Sequence, residues 1–213
     1  MLPCSKCVSN YFSVSGTILI YTAFVSYLTG DPMLQNIIIR PAIEADTKSM
    51  VKVNVDTLQA TCANFYPANL LAARNYEAVE AAWRQHLWES PETEEYAFVA
   101  ETEEREIVGV LICGPTVGGE EAYQGEIFAL FVLPAYHGQG IGKKLVQHAV
   151  IKFLALNISN MLVWVQEKNP ARGFYEAIGG IPKRQKVVKR QNMKMVEIGY
   201  SWDNISQVHQ LNR

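Results

Sequence analysis

The sequence is short of charge and of cysteine. Charged side chains make up 19% of its 213 residues, against about 25% in an average globular chain. Lys+Arg 19 against Asp+Glu 21 leaves a net charge of -2. A protein that grips nucleic acid through its phosphates needs a cationic surplus, so no nucleic-acid partner is expected. The four cysteines, Cys4, Cys7, Cys62 and Cys113, are too few and too scattered for a disulfide framework, which fits a reducing, cytoplasmic compartment. Cys4 and Cys7 form half of a zinc-ligand pattern with no second Cys or His pair nearby, and His86, His148 and His209 lack metal spacing; no metal is expected. Internal repeats and low-complexity tracts are missing too. What is present is apolar bulk: 49% hydrophobic residues exclude a mainly disordered chain. The length suits one domain and a surplus.

Part of the charge deficit lies at the head. Val8 to Leu28 carries no charge, and Lys6 and Asp31 are the only charges in residues 1–32. A run of that length could span a bilayer. Ser9, Asn10, Ser13, Ser15, Gly16, Thr17, Thr22 and Ser26 dilute it, however, and no small-x-small cleavage site follows cleanly. Residues 1–32 are therefore read as an extension of unknown role, with anchor and signal peptide as alternatives, and no membrane partner is expected. Met33 is an alternative start, and residues 33–213 form the folded domain.

Ile37 to Ile39 reads as a short β-branched strand ended by Pro41. Met50, Val51, Val55 and Leu58 sit at helical spacing within residues 44–63, and a second helical stretch covers about 68–88. Residues 96–101 and 107–112 form a hairpin through the charged turn Thr102 to Arg105. After a loop at 115–121, a long apolar strand from Glu126 to Leu133 stops at Pro134, and an amphipathic helix starts at Ile141. A strand at 161–165 follows, then Asn169 as N-cap with Pro170 opens a short helix that ends at Gly179-Gly180. Strands near 186–189 and 195–201 close the chain. The order β-α-α-β-β-β-α-β-α-β-β describes a mixed α/β domain with an antiparallel front half.

Between the long strand and its helix stands Pro134-Ala-Tyr-His137-Gly138-Gln139-Gly140-Ile141-Gly142-Lys143-Lys144. Alternating glycines let backbone approach a ligand, and free N–H groups at a helix N-terminus attract anions, phosphate above all. A Walker loop is excluded because its first Gly is missing and Lys144 follows Lys143. Four intervening residues, Pro134 to His137, also disagree with a dinucleotide fingerprint and its oxidoreductase. Val132-x-Pro134, the x-x-Gly-x-Gly turn and the amphipathic helix together resemble the acetyl-CoA motif of the GNAT superfamily of N-acetyltransferases. The later block Asn169-Pro-Ala171-Arg-Gly-Phe174-Tyr175-Glu-Ala-Ile-Gly179 is similar to that superfamily's second motif, and residues 197–202 to its last strand. Two departures stand out: His137 replaces the usual Arg or Gln, and Gly180 the usual Phe.

The resemblance implies a GNAT-like mixed sheet whose central parallel strands splay apart, with flanking helices and acetyl-CoA as co-substrate. Backbone groups of Leu130, Phe131 and Val132 would pair with the acetyl and pantetheine amides. His137, Gly138, Gln139, Gly140, Ile141, Gly142 and Lys143 would hold the pyrophosphate, and Asn169 the pantetheine arm. The implied activity is transfer of acetyl directly to a primary amine of a small molecule or peptide, through an oxyanion held by a main-chain N–H. An amine with a pKa near ~10.4 must first lose a proton. Glu126, six residues before Val132, is the base candidate, and strand alternation places it on one face with Phe128, Leu130 and Val132. Another branch of the superfamily uses a Glu on the next strand, where this chain has Trp164. Tyr175 is the candidate proton donor to the departing thiolate. A CoA-binding sensor without catalysis would keep the same loop, but Glu126 and Tyr175 together favour the enzyme. Tyr66, Trp83, Tyr200 and Trp202 read as core or interface aromatics before pocket ones. A homodimer stays open.

The charges are also segregated. Residues 89–126 hold eleven Asp/Glu and one Arg, and residues 143–194 hold eleven Lys/Arg and two Glu. Anionic CoA would be drawn to the second region and a cationic amine to the first.

Overall fold

The computed structural model describes residues 36–63, 66–90, 94–116, 122–190 and 193–209. Residues 1–32, with the question of anchor or signal, lie outside them. No helix among the described residues is long and apolar enough to cross a membrane.

Seven strands form one sheet: β1 (Ile38–Pro41), β2 (Tyr96–Glu101), β3 (Ile107–Pro115), β4 (Gly125–Val132), β5 (Met161–Gln166), β6 (Ile181–Arg190) and β7 (Met193–Trp202). Their order is β1-β2-β3-β4-β5-β7-β6, and only the β4–β5 pair is parallel. The helices are α1 (Thr47–Cys62), α2 (Ala68–Ala73), α3 (Tyr76–Arg84), α4 (Ile141–Ala155), α5 (Arg172–Ala177) and α6 (Ser206–His209).

The expected element order holds as far as β7, with three local differences, and α6 follows the last expected strand. The stretch 68–88 breaks at Arg74-Asn75, because the Asn75 side chain accepts the Ala78 N–H (2.8 Å) and caps a new helix, α3. The last two strands are longer than expected. β6 is a sheet edge exposed over most of its length, so its run Ile181–Arg190 lacks the apolar alternation that marks a half-buried strand. The short helix starts at Arg172, one turn after Asn169, whose Oδ1 accepts the Ala171 N–H (2.9 Å) in a turn that leads into it.

Two layers of helix cover the sheet. On one face Leu145, Val146, Ala149, Val150 and Phe153 of α4 are fully buried against Ala100, Leu111, Ile127 and Met161. Each of the larger ones, Leu145, Val146, Val150 and Phe153, contributes about 1.5–3 kcal/mol relative to an exposed one. On the other face Met50 and Val53 of α1 pack on Val99 and Val110. Arg40 of β1 ties the start of α1 to the sheet. Its guanidinium donates to Asp46 Oδ2 (2.6 Å) and Oδ1 (3.0 Å) and to Glu101. That contact, against the cost of burial, holds the Asp46 carboxyl below its ordinary range.

The structure supplies a reason for Gly180. A Cβ there would lie 2.6 Å from Trp202 Cζ2 and 2.8 Å from the Tyr175 carbonyl oxygen. Trp202 itself is pinned by its Nε1–H on the Ile178 carbonyl (3.0 Å). The indole fills the space a side chain at 180 would need. Gly180→Ala is therefore expected to destabilise the fold by about 1–3 kcal/mol, the usual cost of overpacking. A urea midpoint equal to that of the unmodified protein would contradict this.

Candidate active site

The site begins with a break in the sheet. Ile112 faces Ala129 while Cys113 faces Ile127, so Phe128 is one residue too many on β4 and forms a bulge. Parallel pairing with β5 covers only Gly125–Met161, Glu126–Leu162 and Ile127–Val163. Beyond Ile127 the β4 side that faced β5 is open.

Which backbone groups face the opening follows from the ladder. Leu133 N–H donates to the Val108 carbonyl (2.9 Å), so the alternate residue Phe131, opposite Val110, is also bonded to β3. The N–H and C=O of Leu130 and Val132 then point the other way, into the opening. Of the three residues expected to present backbone to a ligand, Leu130 and Val132 do so and Phe131 does not. The Val132 carbonyl already accepts two hydrogen bonds, from Thr57 Oγ1 on α1 (3.2 Å) and from His137 Nε2 (2.7 Å).

At the end of the opening the loop turns into α4. Gly138 and Gly140 have φ of +76° and +77°, the left-handed region that a side chain would strain, and a Cβ on either would meet only open space. Gly140 is the N-cap and offers no side-chain acceptor, and the first turn of α4 holds no acid but Lys143 and Lys144. An uncapped helix N-terminus with added lysines is electrostatically unfavourable by itself and favourable around an anion. Ile141 is buried in the core, Gly142 packs near Phe174, and Gln139 Nε2 donates to the Ala135 carbonyl (3.3 Å). The backbone of this loop, more than its side chains, is what a pyrophosphate would meet.

Asn169 stands past the end of β5, its Oδ1 engaged in the turn before α5. Tyr175 is 6% exposed, and burial pushes its phenol above the ordinary tyrosine value, so it stays protonated at neutral pH. Its ring stacks on Tyr200 (5.9 Å, 28°) and meets Phe174 (5.1 Å) and Trp202 (6.5 Å) edge-on. Tyr200 and Trp202 are thus core residues, and Trp83 of α3 is partly buried against the clusters that α1 forms with the sheet and with α3.

Glu126 calls for a correction. Ile127 and Leu130 are three apart, yet both belong to the core under α4, because the bulge resets the alternation. Glu126, opposite Gly114 and Leu162, therefore lies on the α1 face, where the Phe128 ring reaches to 3.2 Å from a Cβ built on Gly114. Leu130 and Val132 are on the opposite face. Sequence reasoning also missed Thr57, whose only signal is one more small polar residue on a helix.

Apart from Lys143 and Lys144, the segregated cations are not at the loop. Most of those in residues 143–194 lie on β6 and β7, where Lys186 sits over the Trp164 ring (3.9 Å) and 3.7 Å from Glu197, and Lys183 pairs with Asp203 (2.5 Å).

The family model described as "Acetyltransferase (GNAT) family" matches residues 62–180. The uncharacterized N-acetyltransferase YuaI of Bacillus subtilis is 29% identical over 168 residues, which is 79% of this chain and 94% of the relative. The [ribosomal protein bS18]-alanine N-acetyltransferase of Haemophilus influenzae is 27% identical over 110 residues, 50% of this chain and 72% of its own. Among solved structures, YncA of Salmonella typhimurium, described as a putative acetyltransferase with its cofactor acetyl-CoA, superposes with a TM-score of 0.58 at 16% identity, over 78% of this chain and 92% of that one. The splayed β4, its outward-facing amides and the uncapped glycine loop are what such a co-substrate requires. The chain belongs to the GNAT acetyltransferase family and is an N-acetyltransferase with acetyl-CoA as co-substrate.

Proposed function

We propose that the protein transfers acetyl directly to the primary amine of a small molecule or a peptide, with Glu126 and Tyr175 as its acid–base pair. The observation that carries this is the opening beside β4, where the amides of Leu130 and Val132 run toward the bare N-terminus of α4. Acetyl-CoA brings an activated thioester and an anionic handle. Leu130 and Val132 pair with its amide arm, Asn169 flanks that arm, and the N–H groups from Gly138 to Lys143 take the phosphates. The similarity to an enzyme named for alanine of a ribosomal protein supports a peptide N-terminus among the acceptors. Residues 33–213 carry the activity.

The protons balance through two side chains. Glu126, at the root of the opening, takes one from the ammonium, which frees the lone pair that attacks the thioester carbonyl, and the nitrogen of the tetrahedral intermediate loses a second proton to solvent, so that one proton is released per turnover. Tyr175 gives one to the sulfur as the C–S bond breaks, and the two exchange through solvent afterwards. A screen of primary amines and free-N-terminus peptides with acetyl-CoA tests the function: turnover on at least one is expected, and tight acetyl-CoA binding with none would leave a sensor.

Tyr175→Phe should lower kcat by about 10²-fold or more, the scale of general acid catalysis, while the KM for acetyl-CoA moves little. Unchanged kcat would take Tyr175 out of the chemistry. For Glu126→Gln the deficit should shrink as pH rises toward the amine's own pKa, where the acceptor deprotonates unaided. A deficit constant with pH would instead mark Glu126 as structural.

The Val132 carbonyl yields a third expectation. It has two lone pairs and two donors, so a ligand amide must displace one. Thr57 is buried on α1, whereas His137 is exposed on the loop. His137→Ala should therefore tighten acetyl-CoA binding by about 2- to 10-fold, the worth of one net hydrogen bond. Weaker binding by calorimetry would make His137 a direct ligand contact.

A further inference from the structure

We infer that Tyr200 is a positioning residue for Tyr175, holding the short helix that carries it in register with the opening of the sheet; this rests on the reading of Tyr175 as proton donor. The argument starts from α5. A helix of six residues has no orientation of its own, since helices shorter than about 12 residues are marginal without tertiary support. Its rotation must be fixed from outside.

One hydroxyl does this. Tyr200 Oη accepts from Arg172 Nε–H (2.9 Å) and donates to Glu176 Oε1 (2.7 Å). Arg172 and Glu176 are four apart on α5 and lie one above the other on the same side. A single phenol on β7 thus pins both ends of the helix. Arg172 also donates through Nη1 to the Glu167 carbonyl (3.1 Å), which braces the guanidinium from the chain entering the helix. Next to Glu176, the Tyr175 ring lies on the Tyr200 ring at 28°, so the group that pins the helix also sets the plane of the phenol.

The place of Tyr200 in the sheet gives this clamp its meaning. Tyr200 is fully buried and faces Val163 of β5, and Val163 is the β5 residue that makes the last parallel pairing, with Ile127. Ile127, Val163 and Tyr200 form one row across the sheet, the row at which β4 and β5 part. Tyr175 is thereby referred to the root of the opening and not to the loop before its own helix.

The test is a double-mutant cycle on kcat, using the acceptor with the highest turnover in the amine screen. Tyr200→Phe keeps the ring and the stack and removes both hydrogen bonds. It should lower kcat by about tenfold with the KM for acetyl-CoA within about twofold. In a Tyr175→Phe background the same change should cost less than about twofold, because a residue that acts through Tyr175 has nothing left to act on. Glu176→Ala, at an exposed position that the fold tolerates, should reproduce part of the loss, and Glu176→Gln, which keeps an acceptor for Tyr200, should restore it. Equal losses from Tyr200→Phe in both backgrounds would overturn the proposal and make Tyr200 purely structural. So would full activity in both Tyr200→Phe and Glu176→Ala. If Tyr200→Phe does not fold, the Glu176 pair decides alone: the alanine variant must lose kcat in the wild-type background and not in Tyr175→Phe. Full activity of Tyr175→Phe by itself would mean that the proton-donor reading has failed, an outcome separate from additivity.

Discussion

Everything at the site depends on β4 and β5 pairing over three residues and no more. Two neighbouring strands that separate leave backbone donors and acceptors without partners, and a buried unpaired amide costs as much as a lost hydrogen bond. The fold tolerates this because each strand has a complete antiparallel partner on its other side. β4 is paired with β3 from Gly125 to Val132, and β5 with β7 from Met161 to Gln166. α4, which packs against β2, β3 and β4, connects the two strands. Phe128 starts the separation: the bulge adds twist and bends β4 away just after its last parallel contact. Hydrogen-bonding capacity is thus aimed along one strand edge, where the Val132 carbonyl is already held, by Thr57 and His137.

The parts of this arrangement that the sequence revealed are those encoded locally. The strand ended by Pro134, the alternating glycines and the periodic helix after Ile141 lie in one continuous stretch, and their chemistry can be read without knowing what packs on them. The bulge was not legible. Phe128 is an ordinary strand residue, and a two-residue alternation run straight through it puts Glu126 with Leu130 and Val132, whereas the extra residue places them on opposite faces. Thr57 and Tyr200 were hidden for another reason. Their partners, Val132 and the pair Arg172 and Glu176, are 75, 28 and 24 residues away, and separations of that size leave no mark on periodicity. Gly180 lies between these cases. The departure from the usual Phe was visible, but its cause, the indole of Trp202 in that space, was not.

Charge segregation shows the same limit on a larger scale. The sequence suggested a cationic half that would attract CoA, and the cations exist, but most of them lie on β6 and β7, three and two strands from β4. Several are engaged there: Lys186 with Trp164 and Glu197, Lys183 with Asp203, and Arg184 over Tyr123 at 5.3 Å. At physiological salt the Debye length is about 8 Å, so exposed charges on that hairpin are largely screened from the glycine loop. What remains near the loop is Lys143, Lys144 and the N-terminus of α4, which carries roughly half an elementary charge. Recognition of the anionic end then rests on short-range, directional N–H groups, each worth about 1.5–3 kcal/mol toward a charged acceptor. Backbone donors survive substitution of the side chains around them. That is why a loop with His137 in place of Arg or Gln keeps the geometry of the site; under the proposed placement of acetyl-CoA, the identity of residue 137 bears on the amide arm at Val132 more than on the phosphates.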